Sequence, residues 1–128
     1  MYNNDISIRT KHITAPREFK ASANYTYIVG GITLDGSKFN VGELLLNGQC
    51  LVKDNITGKY EKAGADLTGK SNPVILDETV QFVAKDDGSN PDLTAGQVIT
   101  WSVGVYEKML IGCTAAFKTA TQNFIRYY

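Results

Sequence analysis

From Tyr25 onward the apolar residues fall in short runs of about six positions separated by Gly, Asn, Asp and Pro, a texture that predicts short strands joined by turns. Asp35-Gly36 and Asn47-Gly48 are dipeptides that favour two-residue hairpins, so the chain is expected to fold back at both. A further strand region is expected over PVILDETVQFVAK, with Val80, Phe82 and Ala84 on one face. In GQVITWSVGVYEKMLI, Ile99, Trp101, Val103 and Val105 alternate with Thr100, Ser102 and Gly104, which predicts one buried face with Trp101 as a core anchor. Only the C-terminal TAAFKTATQNFIRYY has helical spacing, at Phe117, Ala120, Thr121 and Phe124, with Thr114 placed to cap it. The closing FIRYY has strand-forming composition. The predicted fold class is mainly β, a small β-barrel, β-tulip-like or sandwich domain with at most one short C-terminal helix.

Residues 1–22 break this texture. They are polar with spaced aliphatics, Ile6, Ile8 and Ile13, then Pro16 and Phe19, and carry little apolar surface to offset the entropy of ordering. They read as an extended N-terminal arm that orders on a neighbour, ahead of a single β-rich domain over 23–128; a frayed terminus is the plainer alternative. Arg9, Lys11, Arg17 and Lys20 make the arm mildly basic, which suits an acidic protein surface.

At 128 residues the chain is one domain able to bury roughly two-thirds of its unfolded surface, enough for a core without metals or disulfides. Thirteen basic and thirteen acidic side chains cancel, so nucleic acid and anionic membrane are not expected partners. The N-terminus lacks an apolar signal region and no window approaches the run of about 18 apolar residues that spans a bilayer, so folding in a cytoplasm is expected. Cys50 and Cys113 match no ligand spacing; they are either one bridge or, as free cysteine chemistry favours, two small buried apolar residues.

The most function-like string is GADLTGKS, which fits the phosphate-loop pattern from Gly64 to Ser71. A phosphate loop needs a buried strand before it and a helix starting at its Lys. Here GKYEKA precedes, and Pro73 turns Asn72 away from helix, so the expectation is a solvated loop between two strands. Asp86, Asp87, Asn90 and Asp92 crowd one loop but lack the alternation and distal Glu of a calcium loop, and each favours a turn. His12 stands far from any activated nucleophile, and nothing pairs Glu43 with Glu61 for acid–base work. No enzyme activity, cofactor or metal is expected.

The run VGELLLNGQCLVKDNITGKYEKA, then NPVILDETVQF, then TAGQV leading to Trp101, resembles the head decoration (capsid cement, or auxiliary capsid) proteins of tailed bacteriophages. The likeness is a G-x-L-L-x-x-G-x-x-L-x-x-D-x-x-T-G-x-Y core, filled by Gly42, Leu44, Leu45, Gly48, Leu51, Asp54, Thr57, Gly58 and Tyr60, followed by an aliphatic strand with an acidic turn at Val74, Ile75, Leu76 and Asp77. It spans roughly residues 30–125. The resemblance implies a structural protein on the outer surface of the virion, trimeric, bound to the major capsid protein of an expanded head through its arm. Ile6, Ile8, Arg9, Ile13, Arg17 and Phe19 would be the capsid-binding residues, and deletion of residues 1–20 is expected to leave a folded domain that no longer binds. The long arm and aromatic C-terminus depart from the short members of that family. A rival class is a receptor-binding or adhesive β domain such as a head-fibre or tail-fibre module, with Tyr127-Tyr128 or the 86–92 loop as its contact; another is a ligand-binding barrel with a polar-lined cavity.

Overall fold

The computed structural model of the protein describes residues 18–128. Ten strands and one α-helix follow in chain order: β1 (Tyr25–Tyr27), β2 (Ile32–Leu34), β3 (Leu44–Leu45), β4 (Cys50–Asp54), β5 (Tyr60–Lys62), β6 (Lys70–Leu76), β7 (Val80–Gln81), β8 (Leu93–Ala95), β9 (Val98–Val105), α1 (Ala115–Thr121) and β10 (Ile125–Tyr127). Eight strands form a curled half-barrel sheet in the order β1-β9-β6-β4-β5-β2-β8, with β10 also on β9, while β3 and β7 make a separate two-stranded sheet. The fold is mainly β with one short helix near the C-terminus, as the sequence pattern predicts.

The central strands are apolar on both faces. Leu51, Val74, Leu76 and Val98 point into one core with Leu34, Leu45, Phe39 and Phe82; Cys50, Val52, Ile75 and Ile99 point into a second with Phe19, Val105, Phe117 and Ile125. Unbroken runs such as CLV, VIL and VI follow from this two-sided burial, since only a strand with one solvated face needs to alternate. The first core is covered by the curl of β2 and β8 and by the small sheet, with the Phe39 and Phe82 rings 5.0 Å apart. The second is covered by α1 and β10. Thr114 caps α1 as its sequence position suggests, its Oγ1 accepting from Phe117 N at 3.2 Å.

Several local expectations are corrected. Asn47-Gly48 does not close a hairpin, because β3 pairs with β7 instead of β4, and Gly48 N donates to Leu76 O at 2.7 Å. Asp35-Gly36 opens a single 3-10 turn over Gly36–Lys38, capped by the Asp35 carboxylate. Ala84 is exposed, whereas Phe82 is buried and Val80 partly so. Trp101 is no core anchor: 42% of it is exposed. The register Thr26↔Trp101, Tyr27↔Ile99 leaves Thr100 as an extra residue, and this bulge reverses the in-out order so that Ser102 is buried and Trp101 faces out. A second irregularity, between Ile125↔Ser102 and Tyr127↔Val105, returns Val105 to the core.

Candidate functional site

The site expected from the sequence is the arm. Ile6, Ile8, Arg9, Ile13 and Arg17 lie outside the described residues, as does His12. Phe19 is a correction: it is 0% exposed and belongs to the second core, so its side chain offers no surface to a partner. The packed body therefore includes Phe19 and the residues after it.

Residues 19–27 run along β9 at the end of the sheet. Tyr106 N donates to Phe19 O at 2.7 Å, Ala21 N to Gly104 O at 3.0 Å and Val103 N to Asn24 O at 3.0 Å. Because β1 ends the strand order, the outer side of this segment pairs with no described strand. Its inner side is pinned by charge: Lys20 Nζ donates to Asp77 Oδ1 at 2.9 Å and Oδ2 at 3.0 Å, and the Tyr27 hydroxyl donates to the same carboxylate. The Asp77 side chain is only 4% exposed, so it requires these partners. Lys20 also lies over the Tyr25 and Phe19 rings, 5.3 and 5.6 Å from their centroids. Burial opposes the Lys20 charge, yet the hydrogen bond and attraction of Asp77, with Glu18 nearby, hold its pKa above the ordinary lysine value. Burial, then the Asp77 hydrogen bond, push the Tyr27 phenol well above its ordinary value. Glu18, Lys20, Ala21, Ser22, Ala23 and Tyr25 line a shallow open groove at this root.

Beside it lies a feature that the alternating pattern concealed. Trp101, cross-strand partner of Thr26, lines a second open groove with Ser102, Gln122, Asn123, Phe124 and Arg126, and Phe124 is 51% exposed. No signal in a single sequence reveals it, since Trp101 reaches the surface only through the bulge.

The other candidates are used structurally. Lys70 of GADLTGKS opens β6 rather than a helix, and its Nζ pairs with Glu61 Oε1 at 3.2 Å and Asp54 Oδ2 at 3.3 Å. The expected solvated loop therefore holds only for residues 64–69: Lys70 and Ser71 already pair with Asp54 and Lys53 in the sheet, and Asn72 takes φ 47° at the β4–β6 bulge beside Pro73. In the 86–92 loop, Asp87 bonds Ser89, and Asn90 Nδ2 donates to the carbonyls of Gly36, Phe39 and Asn40. Asp92 accepts from Gly36 N at 3.0 Å and pairs with Lys59 at 2.7 Å. This loop staples β2's exit to the body. Glu43 pairs with Lys62. Tyr127 is partly buried with its hydroxyl on Thr121 Oγ1 at 2.5 Å, while the exposed Tyr128 ring covers Gly104. Among the described residues, no three His, Cys, Asp or Glu side chains converge as metal ligands, and no helix is long and apolar enough to cross a membrane. Compared with known protein families, curated proteins and solved structures, the chain matches none.

Proposed function

We propose that this chain is a structural protein that binds the outer surface of an expanded viral capsid and stabilises it, with the major capsid protein as partner and a homotrimer as the working unit. The observation that carries this reading is the pinned root. Residues 1–17, in which Ile6 and Ile8 alternate in sequence as in a strand, lead into a segment fixed at the sheet end by backbone hydrogen bonds to β9 and by the Lys20–Asp77–Tyr27 cluster. A tether works only if its anchored end resists pulling. Strand addition by the arm to a capsid sheet gives main-chain hydrogen bonds, and three arms per trimer turn modest single contacts into lasting attachment. The resemblance of Gly42–Tyr60 to the decoration-protein core supports the same reading, and Asp77, the acidic turn of that resemblance, is the carboxylate that holds Lys20 and Tyr27.

The test is co-sedimentation of the full chain with expanded, undecorated heads of the encoding virus, unexpanded heads serving as control, beside a variant lacking residues 1–17. Saturable binding of the full chain to expanded heads, lost on truncation, supports the reading; absence of binding to either form overturns it. The second reading, an adhesive β domain, draws on the Trp101–Phe124 groove, where exposed aromatic faces sit among amide and guanidinium donors. A host-cell or glycan binding that Trp101→Ala abolishes favours it over decoration.

A further inference from the structure

Cys50 and Cys113 are distant in sequence and adjacent in space. Cys50, the first residue of β4, is fully buried in the second core, and Cys113 packs against that core from the segment leading into α1. The backbone brings them together: Cys50 N donates to Ile111 O at 2.9 Å, Gln49 bridges Ile111 in parallel, and Gly112 at φ 71° turns the chain toward Thr114. Both side chains meet in the second core, Cys50 as a buried member and Cys113 packed against it. Both are free, and Cys113 is partly exposed while Cys50 is shielded.

We propose that Cys50 and Cys113 are a redox-closable pair that a peroxide-class oxidant converts to an intramolecular disulfide, clasping the start of β4 to the segment that leads into α1. The two sulfurs are not equivalent. Contact with Cys113 and burial raise the Cys50 thiol far above its ordinary pKa, whereas the Cys113 thiol is lowered, first by the Cys50 hydrogen bond and further by the Tyr127 hydroxyl and Lys118, against burial and the Glu107 charge. Because Cys113 reaches solvent and Cys50 is buried, an oxidant meets Cys113 first, which makes Cys113 the attacking sulfur and Cys50 the resolving thiol. The Cys113 sulfur attacks one peroxide oxygen; an S–O bond forms, the O–O bond breaks, and the departing hydroxide takes up the thiol proton as water. The Cys50 sulfur then attacks the Cys113 sulfenic sulfur; the S–S bond forms, the S–O bond breaks, and a second water leaves with the Cys50 proton. Two thiols are oxidised by two electrons, and one peroxide is reduced to two waters.

The bond closes a loop of about sixty residues, which restricts the unfolded chain and raises Tm by about 10 °C. This inference does not rest on the capsid reading. Its test uses the full chain treated with hydrogen peroxide or with dithiothreitol. Expected are loss of two hydrogens by intact mass, a Cys50–Cys113 cross-linked peptide after digestion, and an upward Tm shift that dithiothreitol reverses and that Cys113→Ser lacks. Oxygen addition at Cys113 without the cross-link overturns the proposal, as do disulfide-linked dimers in place of the intramolecular bond. Peptide mapping of the unmodified chain decides the matter even if Cys113→Ser folds poorly.

Discussion

Phe19 separates the body from the arm more sharply than any boundary drawn by composition. Its side chain is fully buried among Ile75, Ile99, Val105, Phe117 and Ile125, the residues that join the sheet to α1 and β10. Phe19→Ala removes that ring from a closed core and is expected to cost about 3–5 kcal/mol. Against a total stability of about 5–15 kcal/mol for a domain, this is a large fraction, and it lowers Tm by about 10–20 °C. Deleting residues 1–20 removes Phe19 and also Lys20, leaving the Asp77 carboxylate with Tyr27 as its remaining side-chain donor, so the truncated chain is less stable still. Deleting residues 1–17 keeps every contact described for the body. Urea and thermal unfolding of the three variants beside the full chain measure the difference. A 1–20 deletion or a Phe19→Ala variant within about 1 kcal/mol of the full chain refutes the placement of Phe19 in the core. Capsid binding lost on deletion of residues 1–20 would therefore report unfolding as much as loss of a tether, which is why the binding test cuts at residue 17.

Gly36→Ala places a Cβ 2.3 Å from the Pro91 carbonyl oxygen, a backbone atom that cannot swing aside, and is expected to destabilise by about 1–3 kcal/mol in urea unfolding, with weakened hydrogen-exchange protection at Gly42, whose N–H bonds Asn90. Thr114→Ala removes the side-chain acceptor for Phe117 N and is expected to cost about 1 kcal/mol, whereas Thr114→Ser retains the cap. The carboxyls of Asp92, bonded to Lys59 and Gly36 N, and of Asp87, bonded to Ser89, are held below the ordinary aspartate value. Their folded pKa values lie below the unfolded ones, so the stability they contribute is present above about pH 4 and is lost as pH falls through the folded values. Acid titration of Tm should show a smaller loss below about pH 4 for Asp92→Asn than for the full chain, and an equal loss refutes the assignment.

The hydrophobic pattern by itself determined the class of this protein. Short β-branched runs punctuated by Gly, Asn and Asp made it mainly β, Thr114 with Phe117 placed the C-terminal helix, and Pro73 denied GADLTGKS the helix that a phosphate loop needs. These are local preferences, written within a few residues of where they act. The tertiary structure alone decided which side each residue faces and which strands meet. One extra residue at Thr100 turned Trp101 from core to surface, because strand side chains alternate with a period of two and an insertion reverses the positions after it until a second irregularity restores them. The pairing of β3 with β7 in place of β4, the burial of Phe19, and the meeting of Lys20 with Asp77 and of Cys50 with Cys113 join residues far apart in the chain. No local preference encodes such contacts; they arise when the sheet curls and both of its faces must be covered.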